Sequence, residues 1–364
     1  MSIPSKIFSK SNHPGPRPSS ILPLLAGLAS IVLIVAGLRS VSSLLSPILL
    51  SLFITLVTSP VMSWLKRRGL PGWLAYTLVL LLVLLIGTCS LLFFVVSLNQ
   101  LTDDLPTYVD QIETQVTALW QWAIAQGVTA DDIRGLQWFQ PERIFQTLSS
   151  LVTALLGIFS DAGLMLLVFM YMLASAPTFS HQLHQGLGTG SPALRRFSNF
   201  ASSMSTYLLI KSWLGALAAI AQIILMWIMG VDFAVLWGIL SFLFNFVPNV
   251  GFYIALAPPL LLAFLTLGLW KAIIFGIIYI VINNFLDIVI APRYLSKGID
   301  LSALVTFLAV IVWTWILGPI GAFLALPLTM MVKVLVLEAF PETQLLAELM
   351  GAGDEEDTSI KPSA

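Results

Sequence analysis

The chain has 364 residues, of which 58% are hydrophobic and only 10% are charged, and its mean hydropathy is +0.96. A water-soluble core cannot hide so large an apolar fraction, so the composition excludes a soluble protein and predicts an integral membrane protein. The formal net charge of −1 argues against nucleic-acid binding, and the single cysteine, Cys89, excludes a disulfide framework.

The first 98 residues predict a tail followed by three membrane spans. Residues 1–20 contain basic residues among Ser and Pro and predict a disordered cytoplasmic tail. Residues 21–98 predict three transmembrane helices, the first of them a signal anchor, because its apolar run is longer than that of a cleaved signal peptide. The basic run Lys66, Arg67 and Arg68 follows the second span and places that end in the cytoplasm.

The segment 99–150 is predicted to lie outside, because acidic residues outnumber basic ones there. Apolar residues recur in it at helical spacing and predict an amphipathic helix that rests on the membrane or on other subunits. These residues are Leu105, Tyr108, Ile112, Val116, Leu119 and Ala123.

Residues 151–176 predict a fourth transmembrane helix. The following segment, 177–203, is rich in Gly, Ser, Pro and His and predicts a cytoplasmic linker that forms a solvated loop. His181 and His184 are three residues apart, but a metal site needs more ligands than this linker supplies, so no metal site is predicted.

The C-terminal half contains an internal repeat. Residues 230–236, GVDFAVL, return as GIDLSAL at 298–304, and residues 249–256, NVGFYIAL, return as PIGAFLAL at 319–326. Each unit contains one span followed by an apolar hairpin that Gly and Pro interrupt. Many secondary transporters are built from such repeated membrane units, so the repeat predicts a transport function.

Charge placement predicts that the two units are inverted. The first hairpin should open to the outside, whereas Arg293 and Lys297 precede the second and place its open end in the cytoplasm. Asp232 and Asp300, equivalent residues that begin the hairpins, predict helix caps. The predicted fold class is an all-α polytopic membrane protein with about eight transmembrane segments. An inverted-repeat transport core occupies 204–338, and an acidic cytoplasmic tail is predicted at 339–364.

Polar side chains inside the predicted spans indicate the functional region, because a charge retained at membrane depth usually faces a partner, a cavity or an ion path. Two alternatives stay open: Lys211 can snorkel to the headgroups instead of pairing with an acid, and the amides can serve only as hydrogen bonds between helices. Gln222 is a further amide of this kind. The predicted pathway or coupling residues are Asp161, Lys211, Asn245, Asn249, Asn283, Asn284 and Asp287.

Glycine and proline at the two breaks predict hinges that gate the path, because Gly permits unusual backbone angles and Pro interrupts the helical hydrogen bonds. Half-helix ends exposed there could bind a polar solute or an ion. The predicted hinge residues are Pro248, Gly251, Gly318, Pro319 and Gly321.

The sequence contains no recognised catalytic motif: Walker, HExxH and GxSxG patterns are absent. We therefore predict no enzyme activity and no cofactor.

Residues 283–336, NNFLDIVIAPRYLSKGIDLSALVTFLAVIVWTWILGPIGAFLALPLTMMVKVLV, resemble the C-terminal signature of the autoinducer-2 exporter family of permeases, the PerM-like transporters. NFVPNVG at 245–251 is similar to that family's turn. Ile288 departs from the pattern, because related sequences often carry a polar residue beside the acid at this point. Residues that match the family's motifs are Pro292, Arg293, Gly318, Pro319, Gly321 and Pro327.

This resemblance implies polytopic inner-membrane proteins that form homo-oligomers and export the sugar-like signal autoinducer-2, with sodium/proton antiport in some members. Our leading hypothesis is a secondary transporter that exports a small polar solute, autoinducer-2 or a related metabolite, coupled to H⁺ or Na⁺. Asp161 and Asp287 are the expected coupling residues, because a carboxylate removed from water can exchange a proton near neutral pH.

The expected partners are the lipid bilayer, the solute and further copies of the chain, with both termini in the cytoplasm. A sodium/proton antiporter is the alternative within this class. A membrane scaffold that binds partners through 99–150 is the alternative of another class, and a passive channel is a third.

Overall fold

The computed structural model describes residues 21–125, 150, 162–188, 190–248, 250–295 and 301–351. Nearly all of these residues are helical and none of them lies in a strand, which confirms the predicted all-α class. Five helices in this part of the chain are long and apolar enough to cross a membrane, and shorter apolar helices accompany them. The total of about eight spans stays a prediction. The tail 1–20 lies outside the described residues.

Helices α1 (Ile21–Ser40) and α2 (Ser42–Arg67) meet at a bend. Only Val41 separates them, and backbone hydrogen bonds continue through it: its N–H donates to Gly37 and its carbonyl accepts from Leu45. Antiparallel helices need a loop of about 2–5 residues. The first two predicted spans are therefore not joined as a helical hairpin.

Helix α3 (Gly72–Ala125) contains 54 residues and extends far beyond a bilayer, because at about 1.5 Å per residue it is about 80 Å long. Its apolar part, Gly72–Asp104, is a candidate span. The predicted third span and the first half of the predicted amphipathic segment thus form one continuous helix. Residues 126–149 lie outside the described part of the chain.

Helices α4 (Ala162–Leu187) and α5 (Pro192–Met229) occupy most of the segment 177–203, so the prediction of a solvated loop there is wrong. The break between them is short because a new helix begins at once: the Ser191 hydroxyl accepts a backbone N–H bond from the first turn, and Pro192 occupies the first helical position.

The first repeat unit consists of α5 and a hairpin of α6 (Ala234–Phe244) and α7 (Gly251–Leu267). The second begins with α8 (Leu269–Asn284), which continues through a π-helical segment, Phe285–Ile290, into α9 (Ala291–Leu295). Together these three form one candidate span.

The second hairpin follows, formed by α10 (Ala303–Leu317) and α11 (Pro319–Leu335). Short 3₁₀ turns then lead into α12 (Gln344–Leu349). Both predicted hairpins are thus present. Their inverted orientation stays a prediction.

The two hairpin turns are built alike, each around a glycine that allows backbone to approach backbone. A Cβ at Gly251 would lie 1.9 Å from the Phe244 carbonyl oxygen, and a Cβ at Gly321 would lie 1.9 Å from the Trp313 carbonyl oxygen. Gly318 adds a positive φ of 69° in the second turn. Gly251 and Gly321 therefore occupy tightly packed turns.

The two hairpins contact each other through apolar side chains. The Phe244 and Phe323 rings stack with centroids 6.3 Å apart, and Val247 belongs to the same buried cluster as Val310 and Ala325. The contact between the described residues of the hairpins is therefore apolar, and Asn245 of the first break makes its hydrogen bond to α5 instead.

Helix α2 is bound to the rest of the bundle by small hydroxyl side chains. Ser46 Oγ donates to the Leu317 carbonyl at the second turn, over 3.2 Å, and Ser205 Oγ of α5 donates to the Leu56 carbonyl, over 2.8 Å. Small residues of this kind let membrane helices approach closely while satisfying their own polar groups.

Candidate functional site

An ion pair joins α5 to the π-helical segment. Lys211 Nζ lies 3.6 Å from Asp287 Oδ1, and the two side chains are 17% and 42% exposed. A single charge at membrane depth costs at least about 2.5–3.5 kcal/mol on insertion scales, and a partner of opposite charge offsets part of that cost. Of the two interpretations of Lys211, the structure thus shows the pairing with an acid.

Two asparagines surround this pair. Asn283 Nδ2, one turn before the acid, donates to Asp287 Oδ2 over 3.0 Å, as expected for residues on one helix face. Asn245 Nδ2, at the end of α6, donates to the backbone carbonyl of Lys211 over 3.4 Å. We call Lys211, Asn245, Asn283 and Asp287 the ion-pair cluster. It connects α5, the first hairpin and the second repeat unit.

Two local features of the sequence allow the residues of the ion-pair cluster to come together. Gly215 lies one turn beyond Lys211 on α5, and a Cβ there would lie 2.5 Å from Asn245 Nδ2. The missing side chain therefore makes room for the amide. Asp287 lies in the π-helical segment, and π turns inside α-helices are rare and frequently occur at functional sites.

A second polar contact was not predicted. The Tyr108 hydroxyl, on the part of α3 that extends beyond the candidate span, donates to Asp232 Oδ2 over 2.8 Å. Burial raises the pKa of this hydroxyl above its usual value, and the hydrogen bond to Asp232 raises it further. The prediction that Asp232 caps a helix is wrong, because Phe233 takes the N-cap position and no side chain caps α6.

The remaining predicted pathway residues are not brought into the cluster. Asn284 is exposed and makes none of the contacts described above. Asp161, Asn249 and Asp300 lie outside the described residues. Of the residues that match the family's motifs, Pro292 and Arg293 are exposed in α9, and Pro327 lies inside α11.

Sequence reasoning also missed a buried cation. Lys333 lies in the last turn of α11 and is only 5% exposed. A basic residue at this place complements the negative end of a helix. Apolar periodicity alone could not show that this residue is buried.

The ion-pair cluster has the chemistry of a polar binding site and not that of a metal centre. A carboxylate accepts hydrogen bonds, an ammonium donates them, and an amide does both. The described residues contain no group of three His, Cys, Asp or Glu side chains that could hold a metal ion.

Known proteins are similar to this chain over most of its length. A family model described as "AI-2E family transporter" matches residues 28–340. The AI-2 transport protein TqsA of Escherichia coli (strain K12) is 28% identical over 329 residues, which cover 90% of this chain and 95% of TqsA.

Two further relatives are named as candidate transport proteins. YhhT of the same organism is 27% identical over 330 residues, covering 91% of this chain and 94% of YhhT. A Haemophilus influenzae protein is 32% identical over 340 residues, covering 90% of this chain and 95% of that protein. The region that the family model matches includes the ion-pair cluster and both hairpins.

Proposed function

Because the chain belongs to the AI-2E transporter family, and is a transporter of the permease type, we propose that it exports a small polar solute along the ion-pair cluster. The Lys211–Asp287 pair carries this proposal. It retains two opposite charges in candidate spans, and the 42% exposure of Asp287 leaves room for a solute to reach the carboxylate.

A solute can replace the contacts that the cluster makes with itself. Its hydroxyl groups can donate to Asp287, while Lys211 and Asn245 can donate to its oxygens. Opening the pair without such a replacement would leave the Lys211 ammonium, which is only 17% exposed, without its partner, and that is costly. The pair therefore favours a closed path until the solute arrives.

Autoinducer-2 or a related sugar-like metabolite is the proposed substrate class. TqsA is named as an AI-2 transport protein, and hydroxyl-rich solutes match the donors and acceptors of the cluster. Coupling to H⁺ or Na⁺ would use Asp287 once Lys211 has moved away. The hinge role of the two hairpin turns belongs to this proposal, and so does a homo-oligomeric assembly.

The alternatives receive less support. A sodium/proton antiporter needs a carboxylate open to cations, whereas an ammonium already occupies one side of Asp287. In a scaffold the same ion pair would only stabilise the packing of α5 against the π-helical segment.

A passive channel would give a solute flux that needs no ion gradient. The scaffold and the transporter predict different results for a reversal of the pair.

The test is uptake of autoinducer-2 into everted membrane vesicles, which corresponds to export from the cell. We expect Asp287→Asn to lower the initial rate about tenfold or more, equivalent to a loss of about 1.4 kcal/mol or more. The matched control is Glu348→Gln, which neutralises an exposed carboxylate on α12 and should leave uptake unchanged.

The reversed pair, Lys211→Asp with Asp287→Lys, distinguishes a role of the ion pair in transport from a purely structural role. If the pair only holds the helices together, the reversal restores both thermal stability and uptake. If the path needs a carboxylate on the π-helical segment, the reversal restores stability and leaves uptake low. Uptake at the wild-type rate in both Asp287→Asn and the reversed pair would contradict the proposal.

A further inference from the structure

A second group of polar side chains lies three helical turns along α5 from Lys211. Gln222 is completely buried, and its Oε1 accepts a hydrogen bond from the Ser241 hydroxyl of α6. The hydroxyl of Tyr279, on α8, lies beside Ser241 and is equally buried. Trp237 precedes Ser241 by one turn of α6 and shares its face. Three helices therefore contribute to this group.

Several donors of this group have no partner. Within the described part of the chain, Gln222 Nε2 and Trp237 Nε1 are buried and make no hydrogen bond, and the buried Tyr279 hydroxyl has the Ser241 hydroxyl beside it but outside hydrogen-bond geometry. Buried polar groups are nearly always paired, because an unpaired one has lost its water without compensation. The unpaired atoms can all donate, and none belongs to a charged group. Their natural complement is the hydroxyl or carbonyl oxygen of an uncharged molecule.

The two polar groups are connected by helical spacing. On each of three helices, polar residues or a small glycine lie on one face at helical spacing and form a row. One end of each row lies at the ion-pair cluster, and the other end lies at the group around Gln222. From Lys211 to Gln222 the distance along α5 is about 16 Å. The rows are Lys211, Gly215 and Gln222 on α5, Trp237, Ser241 and Asn245 on α6, and Tyr279, Asn283 and Asp287 on α8 and the π-helical segment.

We propose that Gln222, Trp237, Ser241 and Tyr279 form a second solute site, the occluded polar site, which rests on the transport function proposed above. It binds hydroxyl or carbonyl oxygens of an uncharged solute after the solute leaves the ion-pair cluster. The site is closed in this structure because α5 and α6 pack tightly beside it: a Cβ at Gly238 would lie 2.3 Å from Ile223 Cγ1. Access requires α6 to move away from α5.

Thiol accessibility tests this site. In a Cys89→Ser background, Ser241→Cys is treated with a small water-soluble methanethiosulfonate in membranes. The matched control is Leu240→Cys, the neighbouring and equally enclosed position of α6. We expect Ser241→Cys to react about tenfold faster than Leu240→Cys. We also expect an excess of dihydroxyacetone, an uncharged hydroxyketone, to slow the reaction. Equal rates at the two positions, or a rate that dihydroxyacetone leaves unchanged, would overturn the proposal.

Tyr279→Phe supplies a second readout. Removing a donor that makes no well-formed hydrogen bond should leave the melting temperature unchanged or raise it, because little hydrogen-bond energy is lost. The same change should weaken the protection of Ser241→Cys by dihydroxyacetone. A lower melting temperature with full protection would instead show a structural hydrogen bond and overturn the site.

The thiol reaction needs no transport, so the two proposals can fail separately. If Asp287→Asn blocks uptake and Ser241→Cys is inert, only the occluded polar site is wrong. If Ser241→Cys is reactive and protected while Asp287→Asn transports normally, the route through the ion-pair cluster is wrong.

Discussion

Gly251 and Gly321 shape the two hairpin turns by having no side chain. Each lies against a carbonyl oxygen of the preceding half-helix, at a distance that no Cβ could tolerate. Backbone atoms cannot rotate out of the way as a flexible side chain can. The glycines were visible in the sequence as breaks, but the closeness of the backbone at these points is a property of the packed turn.

We expect Gly251→Ala and Gly321→Ala each to destabilise the protein by about 1–3 kcal/mol, the usual cost of forcing extra atoms into a packed region. Thermal unfolding in detergent would measure this as a lower melting temperature. Gly87→Ala is the control, because Gly87 lies inside α3 with open space around it. Alanine there should be neutral or stabilising. Equal melting temperatures for all three variants would contradict the tight turns.

Gly215 offers a milder change at the ion-pair cluster. A methyl group there meets the end of the Asn245 side chain, which can move, so we expect Gly215→Ala to fold normally. The amide would lose its bond to the Lys211 carbonyl, and the uptake rate should fall. Gly163→Ala, a position with open space around it, is the matched control in the same vesicle assay. Wild-type uptake in Gly215→Ala would show that Asn245 has no part in the path.

Lys211 and Asp287 show how far residue-level prediction reaches. Each could be selected from the sequence, because a charge within an apolar run is a local property. Their contact could not be deduced, because it depends on how α5 packs against a segment far along the chain. Ser241 and Tyr279 were not selected at all, since hydroxyl-bearing residues are ordinary in apolar helices and only the packed structure shows that both are buried beside Gln222.

At the scale of the elements, α3 and the π-helical segment escaped prediction for different reasons. The predicted end of the third span at residue 98 was based on a change from apolar to acidic residues. Such a change moves a helix from the membrane into water, but it does not end the helix. The six residues of the π-helical segment are too few for periodicity to distinguish a π turn from an α turn. The hairpins, in contrast, were predictable because Gly and Pro act on the local backbone.

The extension of α3 is attached to the first hairpin by Tyr108. We expect Tyr108→Phe to lose about 1 kcal/mol of stability, because the Asp232 carboxylate loses a partly buried hydrogen bond. The control is Asp103→Asn, which neutralises an exposed carboxyl at the end of the candidate span of the same helix and should leave the melting temperature unchanged.

This contact also predicts a pH dependence. A tyrosine whose pKa is raised in the folded state keeps its proton longer than in the unfolded chain, so its contribution is complete below the unfolded value of about 10. Stability should fall as the pH rises beyond that value. Melting curves between pH 8 and pH 11, as an approximate range around that value, should show a smaller fall in Tyr108→Phe than in the wild type. Parallel curves would contradict the assignment.

At the scale of the whole molecule, the internal repeat predicted the order of span and hairpin in each unit, and the structure contains both hairpins. Composition could not predict the bend at Val41 or the helices within 177–203, because neither requires an unusual residue type. The described contacts between the hairpins are made by apolar side chains. The ion-pair cluster lies instead between α5, the break after α6 and the π-helical segment, a placement that the sequence could not predict.

Inversion of the repeat can be tested by single cysteines in a Cys89→Ser background. Charge placement predicts that Arg68→Cys and Arg293→Cys face the cytoplasm, whereas Asp103→Cys and Lys271→Cys face outside. An impermeant thiol reagent should label the first pair only in everted vesicles and the second pair only in right-side-out vesicles. Labelling of Arg293→Cys and Lys271→Cys from the same side would exclude a span between them and refute the inversion.

The apolar contact between the hairpins has an electrical consequence. Stacked phenylalanines and aliphatic side chains offer nothing that could solvate an ion, so we expect this region to insulate and the membrane voltage to fall across it. The closed Lys211–Asp287 pair is neutral as a unit and feels little net force. Once the charges separate along the membrane normal, each gains or loses up to about 2.3 kcal/mol per 100 mV in proportion to the part of the voltage it crosses. Opening of the path should therefore depend on voltage, even for an uncharged solute.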